Sequence, residues 1–144
     1  MKSFILSIVL FLAVGTFAQS PVGTWLSIDD ETKEKKSWVK IYKKDGKLYG
    51  KIIKLYRKAN EDQDPVCTEC TDDRKGKKII GMNIIRGLSF DADSKRWESG
   101  TIMDPAKGKT YKAKLWVDEK DPAFLNVRGY AGIFYRTQKW VRIK

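Results

Sequence analysis

Polar and apolar residues alternate in short runs along most of this 144-residue chain, and the runs are separated by turn-forming residues. A period of two is what a half-buried strand requires, because successive side chains point to opposite faces. Val22 to Ile28 is the first such segment. From Ser37 to Lys43, Trp38, Lys40 and Tyr42 share one face while Val39 and Ile41 share the other. Asp45-Gly46 then suits a type I′ turn, whose central residues both take positive φ, and Leu48 to Tyr56 runs back to complete a hairpin. Thr110 to Asp118 alternates most cleanly. There Tyr111, Ala113, Leu115 and Val117 oppose Lys112, Lys114, Trp116 and Asp118.

Arg96 to Met103, Phe124 to Tyr130 and Ile133 to Ile143 supply three more strands, set apart by turns rich in Asp, Pro and Gly. Ile79 to Phe90 reads as a strand that bends at Gly81 and Gly87, with a short helix as the alternative. Ala59 to Lys78 has neither period; it holds Pro65 and both cysteines and reads as one long loop. Eight strands with mostly tight connections predict an all-β chain. An eight-stranded antiparallel up-and-down barrel is favoured because closure leaves no exposed edge. The outward positions are largely lysine, which disfavours a lipid-facing barrel.

The N-terminus departs from this pattern. Lys2 precedes an apolar run from Phe4 to Val14, and Thr16-Phe17-Ala18 places small residues before Gln19. This is the layout of a secretory signal peptide, too short to span a bilayer comfortably, with a retained anchor as the alternative. Residues 1–18 are therefore expected to be a leader and residues 19–144 one domain, exported to the periplasm or the medium. The domain is long enough to bury roughly 65% of the surface its unfolded chain exposes. No later run is long enough to cross a membrane as a helix.

Charge and composition narrow the chemistry. The net charge is +11, with the lysines spread along the strands. Such an excess favours weak, salt-sensitive contact with polyanions such as an anionic envelope component, without specific recognition of nucleic acid. There is no histidine, which removes Ser-His-Asp and Cys-His catalysis and histidine metal ligation. Cys67-Thr68-Glu69-Cys70 is the one reactive-looking motif. In an oxidising compartment the two cysteines are expected to form a disulfide. A redox centre is disfavoured because Glu69, Asp72 and Asp73 oppose thiolate formation. A metal site would need those cysteines plus Asp72, an unusual set for zinc. Asp91, Asp93 and Asp104 sit at turns and no carboxylate pair is placed by a motif for acid–base work, so the expectation is a non-enzymatic protein without cofactor or metal.

The chain has five Trp, six Tyr and six Phe; those that face inward either fill the barrel or line a cavity, and eight strands leave room for either. Tyr111, Leu115, Val117 and Leu125 fit the inside. Arg128 lies mid-strand: inward, it would need a carboxylate or an anionic ligand, whereas simple alternation turns it outward. Arg136 and Trp140 share a face with Arg142 and carry the same ambiguity. Candidate ligand-binding residues are Arg128, Tyr130, Tyr111, Trp38 and Trp140.

Gly23-Thr24-Trp25 on the first strand and Trp140-Val141-Arg142 on the last resemble the calycin barrels, which include the lipocalins. That resemblance implies that Arg142 packs over Trp25 and closes one barrel end. A longer ordered set is similar to the exported bacterial family termed domain of unknown function 2147. It comprises Gly23-x-Trp25, Leu48-Tyr49-Gly50-Lys51-Ile52, Cys67-x-x-Cys70, Gly81 to Leu88, Asp104-Pro105 with Gly108-Lys109-x-Tyr111, Leu125 to Gly132, and Trp140-x-Arg142. The resemblance implies a lipocalin-like barrel and assigns no activity. Two functions follow as expectations. One is binding of a small, partly apolar or anionic ligand inside the barrel. The other is contact with polyanions or a protein partner through the basic surface of a packed barrel.

Overall fold

The computed structural model describes residues 19–144, so the leader expected at 1–18 lies outside the described residues. Eight strands follow in chain order: β1 (Gly23–Ile28), β2 (Lys35–Lys44), β3 (Lys47–Leu55), β4 (Asn83–Asp91), β5 (Arg96–Asp104), β6 (Lys109–Val117), β7 (Phe124–Ala131) and β8 (Phe134–Arg142). Each pairs antiparallel with the next, and β8 pairs with β1 to close the barrel. Closure rests on Trp25 opposite Arg142 and Leu26 opposite Val141. The C-terminus extends it: the Thr24 amide donates to the Lys144 carbonyl at 2.7 Å, and the Ile143 amide donates to the Thr24 carbonyl at 2.8 Å. Among the described residues no helix is long and apolar enough to cross a membrane.

The alternation seen in the sequence becomes the inside and outside of the wall. Val39, Ile41, Leu48, Ile52, Ala113, Leu115 and Leu125 point inward and are buried. Asp45 and Gly46 both have positive φ (52° and 76°), as the β2–β3 hairpin requires. One expectation is corrected. β4 begins at Asn83 rather than at Ile79, and the segment before it is a turn rather than a helix. Gly81 at φ 93° breaks the extended run there, and the Gly81 amide donates to the Ile52 carbonyl at 2.6 Å, tying the turn to β3.

The long loop 56–82 packs against the barrel through its own small core. Cys67 and Cys70 form the disulfide, with Cα atoms 5.5 Å apart. Both are buried, and the Cys70 Sγ lies 3.8 Å from the Met103 Sδ. Gly108, at the β5–β6 turn, has a positive φ and sits so close to the Glu69 carbonyl that a Cβ there would collide with it. Arg74 completes the anchor. Its guanidinium is buried, pairs with Asp72 at 2.6 Å, donates to the Asn83 carbonyl at 2.9 Å and reaches the Thr110 hydroxyl at 3.3 Å. A buried guanidinium is tolerable only with its charge met and its donors used.

Candidate functional site

The two ends of the barrel differ. At the end holding the β2–β3, β4–β5 and β6–β7 turns, the interior is filled. Trp25 is fully buried, its indole Nε1 donates to the Pro21 carbonyl at 2.8 Å, and the Arg142 guanidinium lies 4.2 Å from its ring centroid. Arg142 also donates to the Ser20 carbonyl at 2.9 Å and, more weakly, to those of Val22 (3.4 Å) and Pro122 (3.5 Å). A planar cation stacked on indole with its edge donors on chain-end carbonyls is a plug. The closure role that the resemblance implied for Trp25 and Arg142 corresponds to this geometry.

The opposite end is an open mouth, framed by the β1–β2 loop, the loop 56–82, and the β5–β6 and β7–β8 turns. Below it lies a cavity of about 570 Å³. Its wall is apolar where Leu55, Ile84, Ile102, Val127 and Trp140 face it, and Gly129 leaves the β7 wall thin. Lys36, Arg57, Lys107 and Arg136 also line it, with Asp29 and Asp104 as the acids.

One wall carries a hydrogen-bonded chain running from the cavity outward. Inward positions of β8 fall at Arg136, Gln138 and Trp140. The Trp140 Nε1 donates to the Gln138 Oε1 at 3.0 Å, and the Gln138 amide donates to the Asp30 Oδ1 at 3.3 Å. Arg136 then clasps Asp30 with two bonds, 2.7 and 2.6 Å. The guanidinium beside it holds the Asp30 carboxyl below its ordinary range, so that carboxyl stays ionised. Asp29 is likewise lowered, chiefly by the amides of Thr32 and Glu31 in its own turn. The charge of Arg136 is therefore answered within the wall. Among the described residues, Lys36 and Lys107 have no carboxylate within 4.0 Å. The Tyr111 hydroxyl enters no hydrogen bond among the described residues.

Of the five candidate ligand-binding residues, Tyr111 and Trp140 line the cavity. Arg128, Tyr130 and Trp38 do not, and the expectation for these three is corrected. Val127 and Gly129 face inward on β7, so the pleat turns Arg128 and Tyr130 out. Outside, Arg128 stacks on Tyr135 at 4.3 Å and Trp116 at 5.0 Å and bonds the Thr137 hydroxyl at 2.7 Å. Trp38 is outward on β2 and donates to the Tyr56 hydroxyl at 3.0 Å. On β8 it is Arg136 that lines the cavity. Its partner Asp30 lies 106 residues away in sequence, so no local pattern marked the pair.

Eight consecutive antiparallel strands, closed around a cavity with one end plugged and the other open, define a lipocalin-like barrel. Residues 23–142 match the family described as "Uncharacterized protein conserved in bacteria (DUF2147)", and the chain belongs to that family. Its fold is similar to that of protein HP1028 from Helicobacter pylori, described as belonging to the lipocalin family. The TM-score is 0.68 at 16% sequence identity, over 85% of this chain and 82% of that one. At this identity the likeness is one of fold. No curated protein matches the sequence.

Proposed function

We propose that this protein is an exported, non-enzymatic binding barrel whose ligand is a small molecule with an apolar body and an anionic end. The cavity of about 570 Å³ at the open mouth carries the reading, since it lies within the roughly 300–1,000 Å³ range of small-molecule pockets. Its apolar wall suits a hydrocarbon or ring system. Tyr111 offers a free hydroxyl, and Lys36 and Lys107 offer unpaired positive charge at the rim for the anionic end. The mouth carboxylates support a binding role over an acid–base one: Asp30 is committed to Arg136, and Asp29 and Asp104 accept from the amides of their own turns. A buried disulfide fits an oxidising compartment.

Native mass spectrometry of protein purified from its source organism, followed by solvent extraction, tests the reading. A stoichiometric adduct that extracts as an amphiphilic acid is the expected result. Protein that carries no adduct and takes up no amphiphilic acid when challenged with a panel of them would retire it.

A further inference from the structure

We propose that the outer face of β2 and β3 is a docking surface for an anionic phospholipid bilayer. This surface is independent of the cavity.

The register of the hairpin builds the face as four rungs. Trp38 stands opposite Lys54, Lys40 opposite Lys51, Tyr42 opposite Tyr49, and Lys44 opposite Lys47. Because Val39 and Ile41 point inward, all four rungs point outward, and at two residues per rung they span about 20 Å. Two of the rungs set lysine directly against lysine, an arrangement that opposes folding. Among the described residues, none of Lys40, Lys44, Lys47, Lys51 and Lys54 has a carboxylate within 4.0 Å. Elsewhere on the barrel some cations are answered, Arg86 by Asp73, Lys114 by Glu98, Arg136 by Asp30 and Lys139 by Asp118, while others such as Lys107 and Lys112 are not, among the described residues. What sets the β2–β3 face apart is that five unpaired lysines stand on two adjacent strands, four of them in directly opposed pairs.

The aromatics of the face decide between partners. The Lys54 ammonium lies 4.7 Å from the Trp38 ring centroid and 4.9 Å from that of Tyr56, and the Lys51 ammonium lies 5.6 Å from that of Tyr42. Tyr42 and Tyr49 stack on each other at 5.9 Å, and the Tyr42 hydroxyl donates to Asn83 at 2.7 Å. A single-stranded nucleic acid needs open rings on which bases stack and a groove that tracks its backbone. Here the rings are overlaid by the protein's own lysines, and the outer wall of a barrel is convex. What the face presents is a raft of ammonium groups held over half-buried Trp and Tyr. That matches a plane of phosphates with an interfacial layer beneath it, where such aromatics are favoured and each lysine gains from the negative surface potential.

Sedimentation with vesicles of equimolar phosphatidylglycerol and phosphatidylcholine tests this. The expected result is binding to these vesicles at low salt, none to pure phosphatidylcholine, and a roughly 1,000-fold loss of affinity when Lys40, Lys44, Lys47 and Lys51 are all changed to Gln. Changing Lys58, Lys75, Lys77 and Lys120 to Gln removes the same charge elsewhere and should alter affinity by no more than about threefold. The Lys44→Gln/Lys47→Gln double variant, confined to the hairpin end, should show an intermediate loss. Both face variants should melt no lower than wild type, because they relieve like-charge rungs. An equal loss in the off-face variant would overturn the proposal in favour of diffuse net charge. So would full vesicle binding by the face variant. A single-stranded oligonucleotide that binds wild type more tightly than the vesicles do, and loses that binding in the face variant, would reassign the face to nucleic acid.

Discussion

Arg142 lies over Trp25, with its guanidinium carbon 4.2 Å from the indole ring centroid and its edge turned to the carbonyls of Ser20, Val22 and Pro122. One residue thereby joins the first strand, the last strand and the segment leading into β1. This contact closes one end of the barrel, and the cavity lies toward the other.

Removing this plug is expected to destabilise the protein without touching the cavity. Arg142→Ala loses the stacking on Trp25 and leaves three carbonyls to water, a cost of about 2–3 kcal/mol together. Denaturant unfolding followed by Trp fluorescence reads this as a lower midpoint at unchanged slope. Arg142→Lys should recover only part of it, since an ammonium cannot stack as a plane.

The disulfide is expected to hold one wall of the mouth rather than the barrel itself. A four-residue loop contributes about 2 kcal/mol in the chain-entropy picture. Cys67→Ser with Cys70→Ser should therefore lower the melting temperature by several degrees. It should also raise amide exchange selectively in 56–82, the loop that contributes Ile79 and Arg57 to the cavity. Exchange that rises evenly over all eight strands would show that the loop and barrel unfold as one.

Acid should release the same loop. Hydrogen bonds from Arg74 hold the Asp72 carboxyl down at about 2, below its value of about 3.9 in an unfolded chain. A folded-state pKa below the unfolded one stabilises fully above the unfolded value and fades as pH falls toward the folded one. Limited proteolysis within 56–82 should accordingly accelerate between about pH 4 and pH 2. In Asp72→Asn that dependence should flatten, with the loop already loosened at neutral pH.

Charge reversal at the rim separates the two lysines from the paired arginine. Lys36→Glu with Lys107→Glu should weaken binding of an amphiphilic carboxylate by about tenfold, roughly 1.4 kcal/mol, and leave its uncharged alcohol analogue unaffected. Calorimetric titration of the two ligands distinguishes the cases. Equal losses for both would place the anionic end elsewhere.

Much of the fold was legible because the strands with one polar face, above all Thr110 to Asp118, state their own orientation. Glycine positions and turn residues set the hairpins, and Asp45-Gly46 adopts the two positive φ values its chemistry favours. The site was legible only in part. On β8 both faces carry aromatic and cationic residues, so composition could not choose the side on which Arg136 lies. Parity alone favoured an outward Arg128, and that is where it lies. Arg74 lay in a segment with no period at all; besides its neighbour Asp72, its burial follows from the Asn83 carbonyl and Thr110, which only the closed sheet brings together.

The central claim is that the cavity takes up an amphiphilic anion, and Gly129 offers the most direct test. A Cβ there meets only ordinary contacts, with the Tyr111 side chain at 3.6 Å, so Gly129→Leu places a side chain at the cavity wall without a backbone clash. Titrating anilinonaphthalene sulfonate into wild type, with the dye's own fluorescence as the reporter, should give saturable one-to-one binding that Gly129→Leu weakens at unchanged circular dichroism. Equal binding by wild type and Gly129→Leu would contradict the account and place the ligand outside the barrel.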